Sequence, residues 1–235
     1  MFYPTPLMQQ RFDFACADLD RWREALAPLL ATLELLPRQS PIGALVKSVI
    51  SGCTRDAVSL AAYKRLCRRF PSPADLACAT TEQIRRIIAD VMFAERKAEQ
   101  ITKLMAQIAR ERPDFDLDFL GEIPLDAALA WLEGLPGVAR KVAAAMLNAS
   151  RLNRAVFIAD THVHRVMQRL GFVGPRATPE RVSDHVTAGT RDWSGEEFLL
   201  FHVGIKRVGQ LFCRPNVTHC AGCPFAFDCP SADWP

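Results

Sequence analysis

Four cysteines close the chain, Cys213, Cys220, Cys223 and Cys229, in the spacing C-x6-C-x2-C-x5-C. Thiolates are soft ligands suited to iron–sulfur clusters and zinc, and four of them within seventeen residues can converge on one centre without a folded core to gather them. Pro215, Pro224 and Pro230 discourage a long helix here, so ligation must organise what packing cannot. The spacing by itself leaves a cluster and a zinc ion both open. Two disulfides are a third reading, disfavoured because the rest of the chain looks intracellular.

A second group of residues could act on an electrophilic carbon. Leu135-Pro136-Gly137-Val138-Ala139-Arg140-Lys141 reads as a tight turn running straight into a helix. Such a turn aims backbone N–H groups outward at the positive end of the helix dipole, where a phosphate oxygen can be accepted. The plain alternative is a helix–turn–helix corner. Lys141 falls in the first turn of the new helix, nineteen residues before Asp160-Thr161-His162. An ordinary lysine has a pKa near ~10.4 and is almost wholly an ammonium at neutral pH. A helix start, the adjacent Arg140 and partial burial would each disfavour that charge and ready the amine as a nucleophile; otherwise Lys141 is a solvated helix lysine. Asp160 suits a helix N-cap, and a carboxylate so fixed could also stabilise positive charge on a sugar.

The elements that must position these groups read as helices. Apolar residues recur at three and four through Trp22, Leu26, Leu29, Leu30 and Leu33, through Ile84, Ile87, Ile88 and Val91, and through Ile101, Leu104, Met105 and Ile108. Thr80 with Gln83 and Ser194 with Glu197 form capping boxes, and Thr178 precedes a first-turn Pro179. The best strand candidate is the short Ala155-Val156-Phe157-Ile158, so the fold class is all-α with about ten helices.

Composition sets outer bounds. The 235 residues, 49% hydrophobic and 23% charged, have the balance of a soluble globule with ample core. No leader and no spanning segment is visible, which points to the cytoplasm and away from membranes. Net charge of +3 permits a polyanionic partner only through a local surface. Cys16, Cys53, Cys67 and Cys78 lie in apolar or helical surroundings and are expected to be small buried hydrophobes.

The turn ending in Lys141, the Asp160-Thr161-His162 segment and the closing cysteines, in that order, resemble an endonuclease III-type DNA glycosylase over roughly residues 40 to 230. Arg96-Lys97-Ala98-Glu99-Gln100-Ile101 is similar to the family's segment after its intercalating loop, and Ser51-Gly52-Cys53-Thr54-Arg55-Asp56 stands in the place of a Ser-Ala-Gln-Ala-Thr-Asp stretch. The resemblance implies a 4Fe-4S cluster on Cys213, Cys220, Cys223 and Cys229. It also implies two helical domains flanking a DNA-binding cleft: a six-helix barrel with a helix-hairpin-helix over 35–152, and a discontinuous cluster domain from 1–34 and 153–235. The expected partner is double-stranded DNA with a damaged base or an abasic site, bound by a monomer that would be nucleoid-associated in a bacterium. The damaged nucleotide would be flipped out of the stack. Lys141 would attack the anomeric carbon, expel the base and nick the strand by β-elimination from an imine, with Asp160 assisting base departure. Oxidised pyrimidines are the implied substrates.

Leu135, Gly137, Val138, Ala139, Arg140, Cys53, Phe93 and Arg214 are the implied DNA contacts. Four departures from the family bear on them. Ala139 replaces the hairpin's second glycine, which would cost on the order of 1 kcal/mol if that position is left-handed. Cys53 stands for the glutamine that fills the gap left by a flipped base, with weaker hydrogen bonding. Met92-Phe93-Ala94 replaces a glycine and large side chains, making Phe93 either the wedge between base pairs or a core residue. Between Cys213 and Cys220 only Arg214 and His219 carry potential positive charge, so fewer phosphate contacts are expected there. Catalysis with altered or narrowed substrate choice follows from a pattern of change that spares Lys141 and Asp160.

Three competing readings follow. A monofunctional mismatch glycosylase of the same fold would replace the lysine by serine or tyrosine, and adenine-specific relatives add a C-terminal domain that this sequence, ending six residues past Cys229, does not show. A non-catalytic DNA damage-binding protein would need neither Lys141 nor Asp160. A zinc-bound module would be colourless where a cluster protein is yellow-brown.

Overall fold

The computed structural model describes residues 18–31, 33 and 37–233. Cys16 and the expected boundary between residues 34 and 35 lie outside them. Among the described residues the secondary structure is helical, with only isolated bridges between Gln39 and Ser150 and between Cys213 and Thr218. Ala155-Val156-Phe157-Ile158 is not a strand. Its alternating hydrophobicity is absent because all but Ala155 are buried, and Ser183 donates its hydroxyl to the Phe157 carbonyl at 2.6 Å.

The chain divides into two compact units, one of Pro37–Arg154, the other of Ala155–Pro235 with the described part of the residues before Pro37. The first unit contains α3 (Pro41–Ser51), α4 (Asp56–Arg69), α5 (Pro73–Ala77), α6 (Thr81–Ile87), α7 (Ala94–Glu111), α8 (Leu125–Glu133) and α9 (Arg140–Ala149). Residues 18–25 form α1 and Ala27–Leu30 form α2 of the second unit, which continues with α10 (Thr161–Arg169), α11 (Pro179–Gly189) and α12 (Gly195–Leu211).

In the first unit α3 packs on α9 and α6 on α7, burying Leu45, Ile50, Ile84, Ile101, Leu104, Ala144 and Leu147. Thr80 and Gln83 make the capping box that starts α6. Arg154 closes the unit by donating to the carbonyls of Leu120, Gly121 and Ile123 at 2.7, 2.9 and 2.8 Å. Those carbonyls end a short 3-10 turn and need a donor, because nothing continues that helix.

In the second unit an aromatic core of Trp22, Phe157, Trp193, Phe198, Phe201 and Phe225 gathers α1, α10, α11 and α12. Ser194 with Glu197, and Thr178 ahead of Pro179, cap α12 and α11 as their residue types predict. Helices α10 and α12 meet at Gly209, where an added Cβ would lie 2.9 Å from the Cβ of His162 and 3.2 Å from its carbonyl oxygen. Gly209→Ala should therefore destabilise the protein. Overpacking costs about 1–3 kcal/mol, more than the ~1 kcal/mol gained from alanine's helix propensity. A thermal melt checks this, and an unchanged or higher Tm would show that the two helices part easily.

Candidate functional site

The hairpin is built on glycine chemistry. Val138 N–H donates to the Leu135 carbonyl at 3.2 Å, Pro136 occupies the second position of the turn and Gly137 the third, with φ of +73°. That is the residue order of a type II turn, which needs a left-handed third residue. A Cβ there would also come within 2.6 Å of Gln100 Nε2, which donates to the Gly137 carbonyl, so a larger residue would displace that side chain.

Ala139 is extended, with φ −93° and ψ 169°. It is the N-cap of α9, not a left-handed residue, so replacing glycine there carries no backbone cost. Its methyl supplies no capping oxygen, in contrast to the side-chain caps on α5, α6, α11 and α12. Leu135 and Val138 are core residues, 3% and 5% exposed. The expectation that they touch DNA is thereby restricted to their main chain, because their side chains are spent on packing. Arg140 is also committed: its guanidinium pairs with Glu133 of α8, bracing the two helices of the hairpin. Lys141 follows in the first turn of α9 and is half-buried.

Lys97, a member of the family-like segment Arg96-Lys97-Ala98-Glu99-Gln100-Ile101 with no expected role of its own, proves central to the same unit. It is 7% exposed, and its ammonium donates to the Ile50 carbonyl at 2.7 Å, to the Gly52 carbonyl and to Thr54 Oγ1 at 3.0 Å. Burial brings its pKa down to about 8; a nearby Cys53 opposes that shift and the charge of Lys141 adds to it. Two lysines thus lie close enough to repel. Periodicity could have placed Lys97 beside Ala98 and Ile101 on the buried face of α7, but not its oxygen partners.

Cys53, Cys67 and Cys78 are exposed, which corrects the expectation that they are buried. Cys53 and Cys78 sit at turns and Cys67 on the outward face of α4, where local apolar neighbours do not guarantee cover. Cys53 has φ of +52° and Phe93 has φ of +58°. Phe93 is 61% exposed and Met92 54%, so Phe93 is not a core residue.

In the second unit Asp160 is the N-cap of α10, and one oxygen, Oδ1, accepts the N–H groups of His162 and Val163, both at 2.9 Å. Burial opposes its charge, but His202, the Val163 N–H, Lys206 and His162 together hold the carboxyl below the ordinary carboxylate value. His202 is itself buried, with Nδ1 2.8 Å from the Ile158 carbonyl oxygen.

Helix α10 also grips the cysteine loop at its far end. Arg165 donates to the carbonyls of Cys213 and Gly209, both at 2.9 Å, and Arg169 reaches Cys213 Sγ at 3.2 Å and the carbonyls of Arg214 and Pro215 at 2.8 and 3.0 Å. Arg214, exposed, turns its own guanidinium onto the Gln210 carbonyl.

The four sulfurs sense one another. Burial, and then the other three cysteines, push the Cys223 thiol above its ordinary value, although an N–H from Phe225 works the other way. Burial, then Cys213 and Cys220, raise Cys229, against an N–H from Ser231 and the charge of Arg169. The Asp233 N–H reaches Cys220 Sγ at 3.4 Å. Crowded thiols that receive N–H groups are a donor set waiting for positive charge. Among the described residues no three histidine, cysteine or acidic side chains close around a single ion.

No helix among the described residues is long and apolar enough to cross a membrane.

Comparison with known proteins agrees with this arrangement. Residues 46–191 match the family model described as HhH-GPD superfamily base excision DNA repair protein. Endonuclease III of Thermotoga maritima is 33% identical over 190 residues, covering 78% of this chain and 79% of the relative. Endonuclease III of Synechocystis is 31% identical over 201 residues, with 84% of each chain covered. A chloroplastic endonuclease III homologue of Arabidopsis thaliana is 29% identical across 84% of this chain, which spans 50% of that longer relative. Among solved structures, a trapped endonuclease III–DNA covalent intermediate superposes with a TM-score of 0.75 at 23% identity, covering 92% of this chain and 96% of the other. That likeness speaks for the all-helical fold alone.

Proposed function

The chain belongs to the HhH-GPD superfamily of base excision DNA repair proteins, and from that membership we propose that it is a bifunctional DNA glycosylase and abasic-site lyase acting on double-stranded DNA. The observation that carries this reading is Lys141, an amine in the first turn of a helix that opens directly behind a Pro-Gly hairpin. The main chain from Gly137 to Lys141 would seat a phosphate, since α9 starts without a capping side chain and its dipole favours an anion. Phe93, exposed and held left-handed at the start of α7, would enter the duplex as the damaged nucleotide leaves it, and Cys53 would meet the vacated space.

Lys141 would attack the anomeric carbon of the extruded sugar. A C–N bond forms as the glycosidic bond breaks, the base leaves with the bonding electrons and takes up a proton, and the opened sugar is left as an imine on Nζ. Loss of a proton from the neighbouring carbon then expels the 3′ phosphate by β-elimination, and water frees the lysine. Asp160 would stabilise the positive charge that develops on the sugar. The relatives being endonucleases III, oxidised pyrimidines are the proposed substrates.

Cys213, Cys220, Cys223 and Cys229 would hold a 4Fe-4S cluster, which supplies the cross-link that fixes the C-terminal loop and a centre able to exchange one electron. Arg165 and Arg169 would tie that loop to the helix that Asp160 begins.

An incision assay over oxidised, deaminated, mismatched and abasic duplexes tests the proposal. Cleavage of oxidised-pyrimidine and abasic strands with a β-elimination end is expected. Base release leaving the abasic strand intact would favour a monofunctional enzyme, and binding with neither product would leave a damage-binding protein. The purified protein should also be yellow-brown with a broad band near ~400 nm, which a zinc site would not give.

A further inference from the structure

The turns that carry Cys53 and Phe93 are joined by one hydroxyl. Thr54 Oγ1 donates to the Gly52 carbonyl at 3.2 Å and accepts the Met92 N–H at 3.2 Å and Lys97 Nζ at 3.0 Å. A threonine hydroxyl has one donor and two acceptor sites, so it is fully used. The Lys97 ammonium is saturated too, since its three donors go to Ile50, Gly52 and Thr54. The Lys97 N–H in turn donates to the Phe93 carbonyl at 3.0 Å. Cys53 and Phe93 both sit at positive φ, a conformation that costs a non-glycine residue energy and survives where its surroundings over-determine it. The Thr54 and Lys97 network is that over-determination, and it reaches both strained residues at once. Yet the Cys53 and Phe93 side chains are exposed, so the left-handed backbone at these two positions places no side chain in the core.

We propose that Thr54 is a positioning residue that locks the turns bearing Cys53 and Phe93 into a single two-pronged insert, and so sets how readily this protein opens a duplex around a lesion. The inference rests on the proposed glycosylase and lyase reading and concerns substrate engagement, leaving the amine chemistry at Lys141 untouched.

The test compares the full-length protein with Thr54→Val, which keeps the shape and removes the hydroxyl, with Thr54→Ala, and with Thr54→Ser, which restores the hydroxyl. Duplexes carry an abasic site next to 2-aminopurine, whose fluorescence rises when stacking is disturbed. Both hydroxyl-less variants should need roughly three- to tenfold more enzyme for half-maximal single-turnover incision and should give a smaller fluorescence rise. Borohydride-trapped adduct at saturating enzyme should be unchanged, and Thr54→Ser should match the parent. Unaltered engagement in either folded hydroxyl-less variant overturns the proposal. So does an equal fall in adduct yield at saturation, or a Thr54→Ser protein that behaves like Thr54→Val. A parent protein that gives no adduct with abasic DNA defeats the underlying glycosylase and lyase reading instead.

Discussion

Lys141→Ala should abolish the covalent adduct that borohydride traps between this protein and abasic DNA, and with it all strand cleavage. Lys97, whose charge acts on Lys141, is not a ready substitute. It has its three protons committed to Ile50, Gly52 and Thr54 and is buried. Base release should fall on the order of a thousandfold, equivalent to about 4 kcal/mol of transition-state stabilisation. DNA affinity should change little, because the proposed phosphate seat is main chain and Arg140 stays paired with Glu133. Stability should hold as well, since Lys141 lies in a first helical turn where alanine is well tolerated. Adduct yield after reduction and rates of base release on a damaged duplex provide the measurements. An adduct that persists in the variant would move the nucleophile elsewhere.

Asp160→Asn should slow base release by about 10²- to 10³-fold, the range for loss of one group that stabilises charge developing in a transition state. This substitution separates chemistry from structure. Asparagine caps a helix about as well as aspartate, so the bonds to His162 and Val163 can remain and the fold should keep its stability. Asp160→Ala would lose the cap also, at a further cost of about 1 kcal/mol. If Asp160 served α10 alone, the asparagine variant would be fully active. The pH dependence adds a second reading. The folded carboxyl ionises below its ordinary value, so its contribution to stability is complete above the unfolded pKa near ~3.9 and is lost as pH falls through the lower folded value. The asparagine variant should lack that acid-side decline, and thermal melts between acid and neutral pH would measure it.

Much of this protein can be read locally. The cysteine spacing, the Pro-Gly turn with lysine behind it, and the caps at Thr80, Thr178 and Ser194 depend on neighbours a few residues away, and such interactions survive transfer from chain to fold. The all-helical class follows from periodicity for the same reason. Tertiary structure alone decided the rest. Leu135 and Val138 belong to the core because α9 packs on α3 and α8, and that fate is not written in the hairpin. Ala139 is extended where a family pattern of glycine suggested strain, because the turn ends one residue earlier, at Val138. Three cysteines expected inside are outside, since a thiol is small enough to tolerate either place and only distant helices determine its cover. Lys97 shows the limit most clearly. A charged residue becomes a buried brace only when carbonyls some forty-five residues away, at Ile50 and Gly52, turn toward it, and nothing in its own neighbourhood records that they will.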